Sequence, residues 1–253
     1  MLYGLRRHPI AMAARFRHSL VLTYAFPREI LERLLPPGLI LDCHGDLGFA
    51  AVAMVQTEAM RPVGLPSLLG RDYALVGYRI FCRFRTPEGR LLQGLHILRS
   101  DAGARSMVIA GNLLTHYRYR HSAIDIRADD EALRVSVRSL DGEGDLQLAA
   151  ALASRPAPLP AGSPFSHARE ARRFAGPLPF TFDHEPETQS IVVIEGVRSH
   201  WDPQPIAVEV DRAAFFETDR FAGAPPVLAN AFYVADVPYR WRRGRRMAIE
   251  AGR

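Results

Sequence analysis

The sequence predicts a mainly β protein: one domain, spanning 1–253, of many antiparallel strands with a few helices. Three observations carry this expectation. Strand-like segments recur along the whole chain, separated by Gly-, Pro- and Asp-containing turns. The clearest two, YALVGYRIFCRF and RLLQGLHILRSD, are joined through TPEG, whose Pro and Gly suit a tight hairpin. The Pro-rich connector SRPAPLPAGSP (154–164) is short and has strand-rich sequence on both sides, so it does not divide the chain.

In order, HSLVLTYAF (18–26) reads as the first strand. It leads into PREILERLLPPGL, a short amphipathic helix with Pro27 at its start and Pro36–Pro37 at its end. LGFAAVAMVQTE (47–58) follows the polar turn HGD and reads as a long strand, and RPVGLPSLLGRD (61–72) as a loop. In the hairpin, closure at Arg85 and Arg90 sets Arg79 opposite His96, whereas closure at Pro87 and Arg90 sets it opposite Leu98. Both registers place Arg79 and His96 on one face, because side chains alternate along a strand. That face, shared with Phe81, Gly94 and Leu98, reads equally as pocket lining or as surface. Residues 104–119 read as a helix with Met107, Val108, Leu113 and Leu114 on its apolar side. AIDIRA, LRVSVRS and DLQLAAAL follow as strands, SHAREARRF as a helical turn, and QSIVVIEGVRS, PIAVEV and AFYVADVPYRW as the last strands.

Composition excludes more than it selects. All 32 Lys+Arg residues are arginine, so no lysine amine exists to form a Schiff base with a carbonyl substrate or pyridoxal phosphate. The net charge of +5 is accounted for by Arg240, Arg242, Arg243, Arg245 and Arg246 in a basic tail (240–253), read as a solvated end rather than a phosphate-binding arm. Neither nucleic acid nor membrane is an expected partner: no nucleic-acid motif and no apolar run of membrane-spanning length is found. The basic N-terminus lacks the continuous apolar stretch of a secretory signal, and a cytoplasmic location is expected, with Cys43 and Cys82 as buried free thiols. Nine scattered histidines form no HxH or HExxH pair, and there is no glycine-rich phosphate loop, so neither a metal nor a cofactor is expected.

Two clusters carry candidate chemistry. On the expected helix, Asn112, His116, Tyr119 and Arg120 fall at i, i+4, i+7 and i+8, which is one face. His116 or Tyr119 could act as acid or base there and Arg120 as an anion clamp; the plainer reading is a solvated face near a helix C-terminus. In RSHWDPQP (198–205), His200 and Trp201 precede a Pro-punctuated turn and suit either a barrel mouth or ordinary aromatic packing.

The order of motifs supplies a resemblance. LTYAFPREILERLLPPGLILD, AAVAMVQTEAMRPVGLP, VGYRIFCRF and LHILRSDA, then FAGPLPFTF, RSHW and PPVLANAFYVADVPYRW, resemble the uncharacterised YqjF-like branch of the acetoacetate-decarboxylase-like superfamily over about residues 15–242. The resemblance implies a cone-shaped, mainly antiparallel β-barrel with an internal pocket and a few peripheral helices. Acetoacetate decarboxylases keep a Lys-Lys pair shortly after a Gly-Arg-Glu-Leu helix start. Here that start looks like Gly111-Asn112-Leu113-Leu114, and the lysine pair falls on Tyr119 and Arg120. The helix glutamate becomes Leu113, and an acidic strand residue falls near Ala51. An arginine at the start of the first strand matches Arg17.

Two functions follow as expectations. One is an enzyme acting on a small carbonyl or carboxylate compound without Schiff-base chemistry. In it Arg17, Arg79 and Arg120, with His200 and Trp201, hold the ligand, and His96, His116 or Tyr119 moves protons. The other is a non-catalytic binder of a small anionic metabolite, or an accessory protein. Barrels of this kind often pair, which leaves a homo-oligomer open.

Overall fold

The computed structural model describes residues 3–174 and 178–249. It is mainly β. The strands are β1 (Met12–Pro27), β2 (Leu39–Leu41), β3 (Cys43–His44), β4 (Leu47–Pro62), β5 (Arg71–Arg85), β6 (Leu91–Ala102), β7 (Tyr119–Ala128) and β8 (Ala132–Ser139). They continue as β9 (Leu146–Ala151), β10 (Phe180–Glu185), β11 (Ser190–Arg198), β12 (Gln204–Pro205), β13 (Val208–Ala213), β14 (Val227–Trp241) and β15 (Arg245–Ala248). The α-helices are α1 (Arg28–Glu32), α2 (Arg105–Leu114) and α3 (Ala168–Ala171).

Seven strands pair in a cycle: β6 with β10, then β11, β14, β1, β4 and β5, and β5 again with β6. The antiparallel sheet expected from sequence is corrected to a mixed one, because β6 runs parallel to both β10 and β7. The parallel step from β6 to β7 needs a crossover, and α2 supplies it. Three strands divide an edge between two neighbours. β5 pairs with β4 up to Ile80 and with β2 from Cys82. β11 pairs with β15 over Ser190–Val193 and with β14 over Gly196–Arg198. β6 pairs with β10 over Gly94–His96 and with β7 over Ser100–Ala102.

Period-two alternation sorts the side chains of the cycle into two faces. Outward-facing Leu20, Leu22, Val52, Met54, Tyr78 and Ile80 pack against Leu133, Val135, Leu146 and Leu148, so the β7–β8–β9–β13 extension folds back over the cycle. Inward-facing Phe49, Phe81, Ala51 and Val21 pack with Phe165 and Phe174 and fill one end of the interior.

Most predicted elements are present, and three differ. The helix expected over 104–119 ends at Leu114, where Thr115 turns extended and its hydroxyl bonds back to the Gly111 carbonyl at 2.8 Å. Asn112, His116, Tyr119 and Arg120 therefore share no helix face. The hairpin register lies between the two expected ones. Ile80 faces His96 and Arg79 faces Ile97, with an extra residue, Leu98, bulged beyond them. Arg79 and His96 consequently point to opposite faces. The basic tail is not a free end, since Arg245–Ala248 form β15 against β11 and Arg242 pairs with Glu195 at 3.2 Å. Its residues 250–253 lie outside the described residues, as do residues 175–177 of the FAGPLPFTF motif.

The departure of β7 from the cycle is held by a buried ion network. Arg99, 3% exposed, donates to both oxygens of the fully buried Asp101 at 2.7 and 3.0 Å and to Asp141 at 2.8 and 3.0 Å. Ser122 of β7 donates to Asp101 at 2.7 Å. Arg99→Met should leave the buried Asp101 carboxyl without its ion partner, lowering unfolding free energy in urea by about 3–5 kcal/mol.

Candidate functional site

The open part of the interior is a chamber of about 100 Å3. β5 turns Leu75, Gly77 and Arg79 into it, β4 contributes Ala53, Val55 and Thr57, and β10 contributes Thr181. Arg79 sits beside Ala51 on β4, so a methyl group stands where a carboxylate could have paired with it. Its guanidinium lies back over Gly77, where an added Cβ would meet Nη2 at 2.9 Å.

Among the described residues Arg79 is partly buried and has no ion pair, and its buried Nε has no hydrogen-bond partner. Burial pushes its pKa down, while the neighbouring Tyr239, Tyr117 and Tyr119 push it up. The Ser19 hydroxyl, in the same chamber, also lacks a partner. Burial raises all three tyrosines above their ordinary value, so they remain neutral hydroxyls at physiological pH. Two glycines make room for them. A Cβ on Gly111 of α2 would meet the Tyr119 ring at 2.3 Å, and one on Gly196 of β11 would meet the Tyr239 hydroxyl at 1.9 Å.

On the far side of Tyr117 and Tyr119 lies a polar cavity of about 660 Å3, lined also by His96, His116, Arg118, Asp183 and His184. His96 has its pKa lowered to about 4 by burial and is neutral. Its Nδ1 is 3.0 Å from the Phe182 carbonyl, which only accepts, so Nδ1 carries the proton and Nε2 is left as the acceptor. His116 Nε2 lies 3.5 Å from Glu185, whose carboxylate Arg7 holds to about 2. Asp183 is the unusual group. It is buried, its Oδ2 has no partner, and burial raises its pKa to about 7 despite a hydrogen bond from the His116 backbone. Tyr117 and Tyr119 both feel the Asp183 charge, and both also act on Arg79. The two tyrosines therefore stand between a partly buried cation and a buried acid.

Of the residues expected from sequence, the structure brings His96, His116 and Tyr119 to one cavity, and Tyr119 and Arg79 to one chamber. The others lie elsewhere. Arg17 is about half exposed and pairs with Glu58 at 3.5 Å. Arg120 points to the surface, where it pairs with Asp141, because alternation along β7 turns it away from Tyr119. His200 is exposed beside Ser199. Trp201 is partly buried at the edge of the cluster that holds Phe16, Val234, Val237 and Tyr239, and lies under Arg198, whose guanidinium is 4.7 Å from its ring centroid. Sequence reading missed Asp183 and Tyr117. The period-two run FTFDHE, in which Thr181 and Asp183 share a face, was the available signal.

Residues 13–238 match the DUF2071 family, described as an uncharacterized conserved protein. The chain belongs to that family. No curated protein matches it. Among solved structures it is similar to the enduracididine biosynthesis enzyme MppR complexed with pyruvate, at 11% identity over 96% of this chain and 92% of that one (TM-score 0.60). It is also similar to acetoacetate decarboxylase from Legionella pneumophila subsp. pneumophila str. Philadelphia 1, at 11% identity over 94% and 88% of the two chains (TM-score 0.58). A third is an acetoacetate decarboxylase-like enzyme from Sphingomonas wittichii RW1, at 18% identity over 96% and 94% (TM-score 0.57). At these identities the likeness shows the fold, so this DUF2071 member has an acetoacetate-decarboxylase-like fold. No described helix is long and apolar enough to cross a membrane.

The Asp183 environment sets a pH dependence. With a folded pKa of about 7 against an ordinary 3.8, the folded chain keeps a proton that the unfolded chain releases, so rising pH favours unfolding in that window. Asp183→Asn should therefore gain on the wild type by about 1.4 kcal/mol per pH unit from roughly pH 4 to 7, then level off. Paired denaturation curves across that range check it.

Proposed function

We propose that this DUF2071 protein is an enzyme acting on a small carboxylate, and that its seven-strand cycle is the cone-shaped barrel of acetoacetate-decarboxylase-like proteins, forming one domain. The observation that carries the reading is Arg79: a guanidinium lining the chamber inside the strand cycle, with three tyrosines and no carboxylate beside it. A guanidinium whose Nε is buried without a partner is destabilising, and a ligand carboxylate meeting its fork with two parallel hydrogen bonds would relieve it. A chamber of about 100 Å3 accepts only a few heavy atoms beside that fork. The pyruvate of the MppR complex is a ligand of that size and charge.

A carbonyl next to the bound carboxylate would lie against the tyrosine hydroxyls, which can donate to oxygen as negative charge develops there. Asp183, beyond Tyr117 and Tyr119, is suited to exchange a proton near neutral pH. With no lysine, the carbonyl is not converted to an imine on a side chain, so proton transfer proceeds on the free carbonyl compound. The buried tyrosines and Asp183 favour this enzyme reading over a non-catalytic binder, because carboxylate capture alone needs neither group.

Arg79→Leu should weaken pyruvate binding by at least about a hundredfold, measured by calorimetry, while raising the melting temperature of the ligand-free protein. Arg17→Ala, which removes an exposed residue paired with Glu58, should leave pyruvate affinity within about twofold. The reading fails if Arg79→Leu binds pyruvate as well as the wild type does.

A further inference from the structure

The chamber has a second neighbour besides the polar cavity. A space of about 280 Å3 lies against helix α2, and its lining includes Met12, Met60, Met107, Leu114, Ile10 and Leu69. Its border also carries polar groups, His8, Arg61 and the exposed Arg71 among them. Arg61 bonds to the carbonyls of Leu65 and Ala59 at 2.9 and 2.7 Å, and burial lowers the His8 pKa, keeping it neutral. Four residues, Leu75, Tyr117, Tyr119 and Trp241, line both this space and the Arg79 chamber, so the two adjoin across a wall one side chain thick. Methionine side chains are unbranched and polarizable and adapt to apolar groups of varied shape.

We propose that the ligand of this site is amphipathic: its carboxylate is held by Arg79 inside the strand cycle, and an apolar chain or ring extends past Leu75 and Trp241 into the methionine-lined space. This rests on the reading of Arg79 as a carboxylate anchor. The pairing of one partly buried cation with one adjoining apolar space gives each half of such a molecule its own environment. A short oxo acid fills only the first half.

The test is calorimetric titration of the full-length protein with acetate, butanoate, hexanoate, octanoate and 3-phenylpropanoate, with pyruvate as the short reference. Affinity should rise about three- to fourfold per added methylene, following about 0.8 kcal/mol for each buried CH2, until the space is full. Ala110→Trp, at an exposed helix position on the border of the apolar space, should compress the spread between acetate and octanoate at least tenfold. Arg79→Leu should weaken every member of the series. A flat series overturns the amphipathic ligand while leaving Arg79-dependent pyruvate binding intact. A steep series that survives Arg79→Leu also overturns it, because the carboxylate would then sit at Arg61 or Arg71 instead. Loss of all binding, pyruvate included, overturns this inference together with the reading beneath it.

Discussion

The divided edge of β6 is the constraint on which the site depends. A strand edge can serve one neighbour at a time, and β6 gives its edge to β10 at Gly94–His96 and to β7 at Ser100–Ala102. The residues between, Ile97 to Arg99, lie where those neighbours diverge. Leu98 is bulged opposite β5, and Arg99 turns its guanidinium into the network with Asp101 and Asp141. The opening so created is walled by Ile97, Tyr117 and Tyr119, which border both the inner chamber and the outer polar cavity. A continuous ladder at this point would have sealed the interior. The divergence admits a wall of tyrosines in place of backbone.

That wall separates charges that would otherwise cancel. Arg79 is partly buried and Asp183 buried, and direct contact between them would form an ordinary ion pair with little affinity left for anything else. Tyrosine hydroxyls between them can hydrogen-bond in either direction without neutralising either group. The arrangement maintains a cation and an acid that each keep a buried atom without a partner, Arg79 Nε and Asp183 Oδ2. Stability is lost at such positions when they serve a ligand, which is why local rules fail there more often than elsewhere.

The sequence made the strands, α1 and the family legible, because period-two patterning and Pro-Gly punctuation are local signals. Register was not local. Both hairpin closures satisfied the loop TPEG, and the decisive bulge at Leu98 arises from pairing with β5 and two other neighbours at once. The helix end at Leu114 was hidden because THYRYRH contains neither Gly nor Pro. The chain leaves the helix through an extended Thr115 and a left-handed Arg118 with φ of 52°. Arg17, Arg120 and His200 looked functional by residue type, yet exposure and surface partners set them apart from the interior. Asp183 was missed, and a carboxylate on an apolar strand is rarely buried without a partner.

One pairing bears on how the chamber is assembled. β15, at residues 245–248, completes the edge of β11 beside Val192, and β14 closes the cycle onto β1, more than two hundred residues earlier. A ribosome releasing this chain therefore exposes most of the inward-facing surface before the last staves exist. Closure is a late, long-range event with a large loop-entropy cost, and nascent chains stalled before β14 would present apolar strands and Arg79 to the surrounding solution. The interior thus exists only once β14 has joined β1.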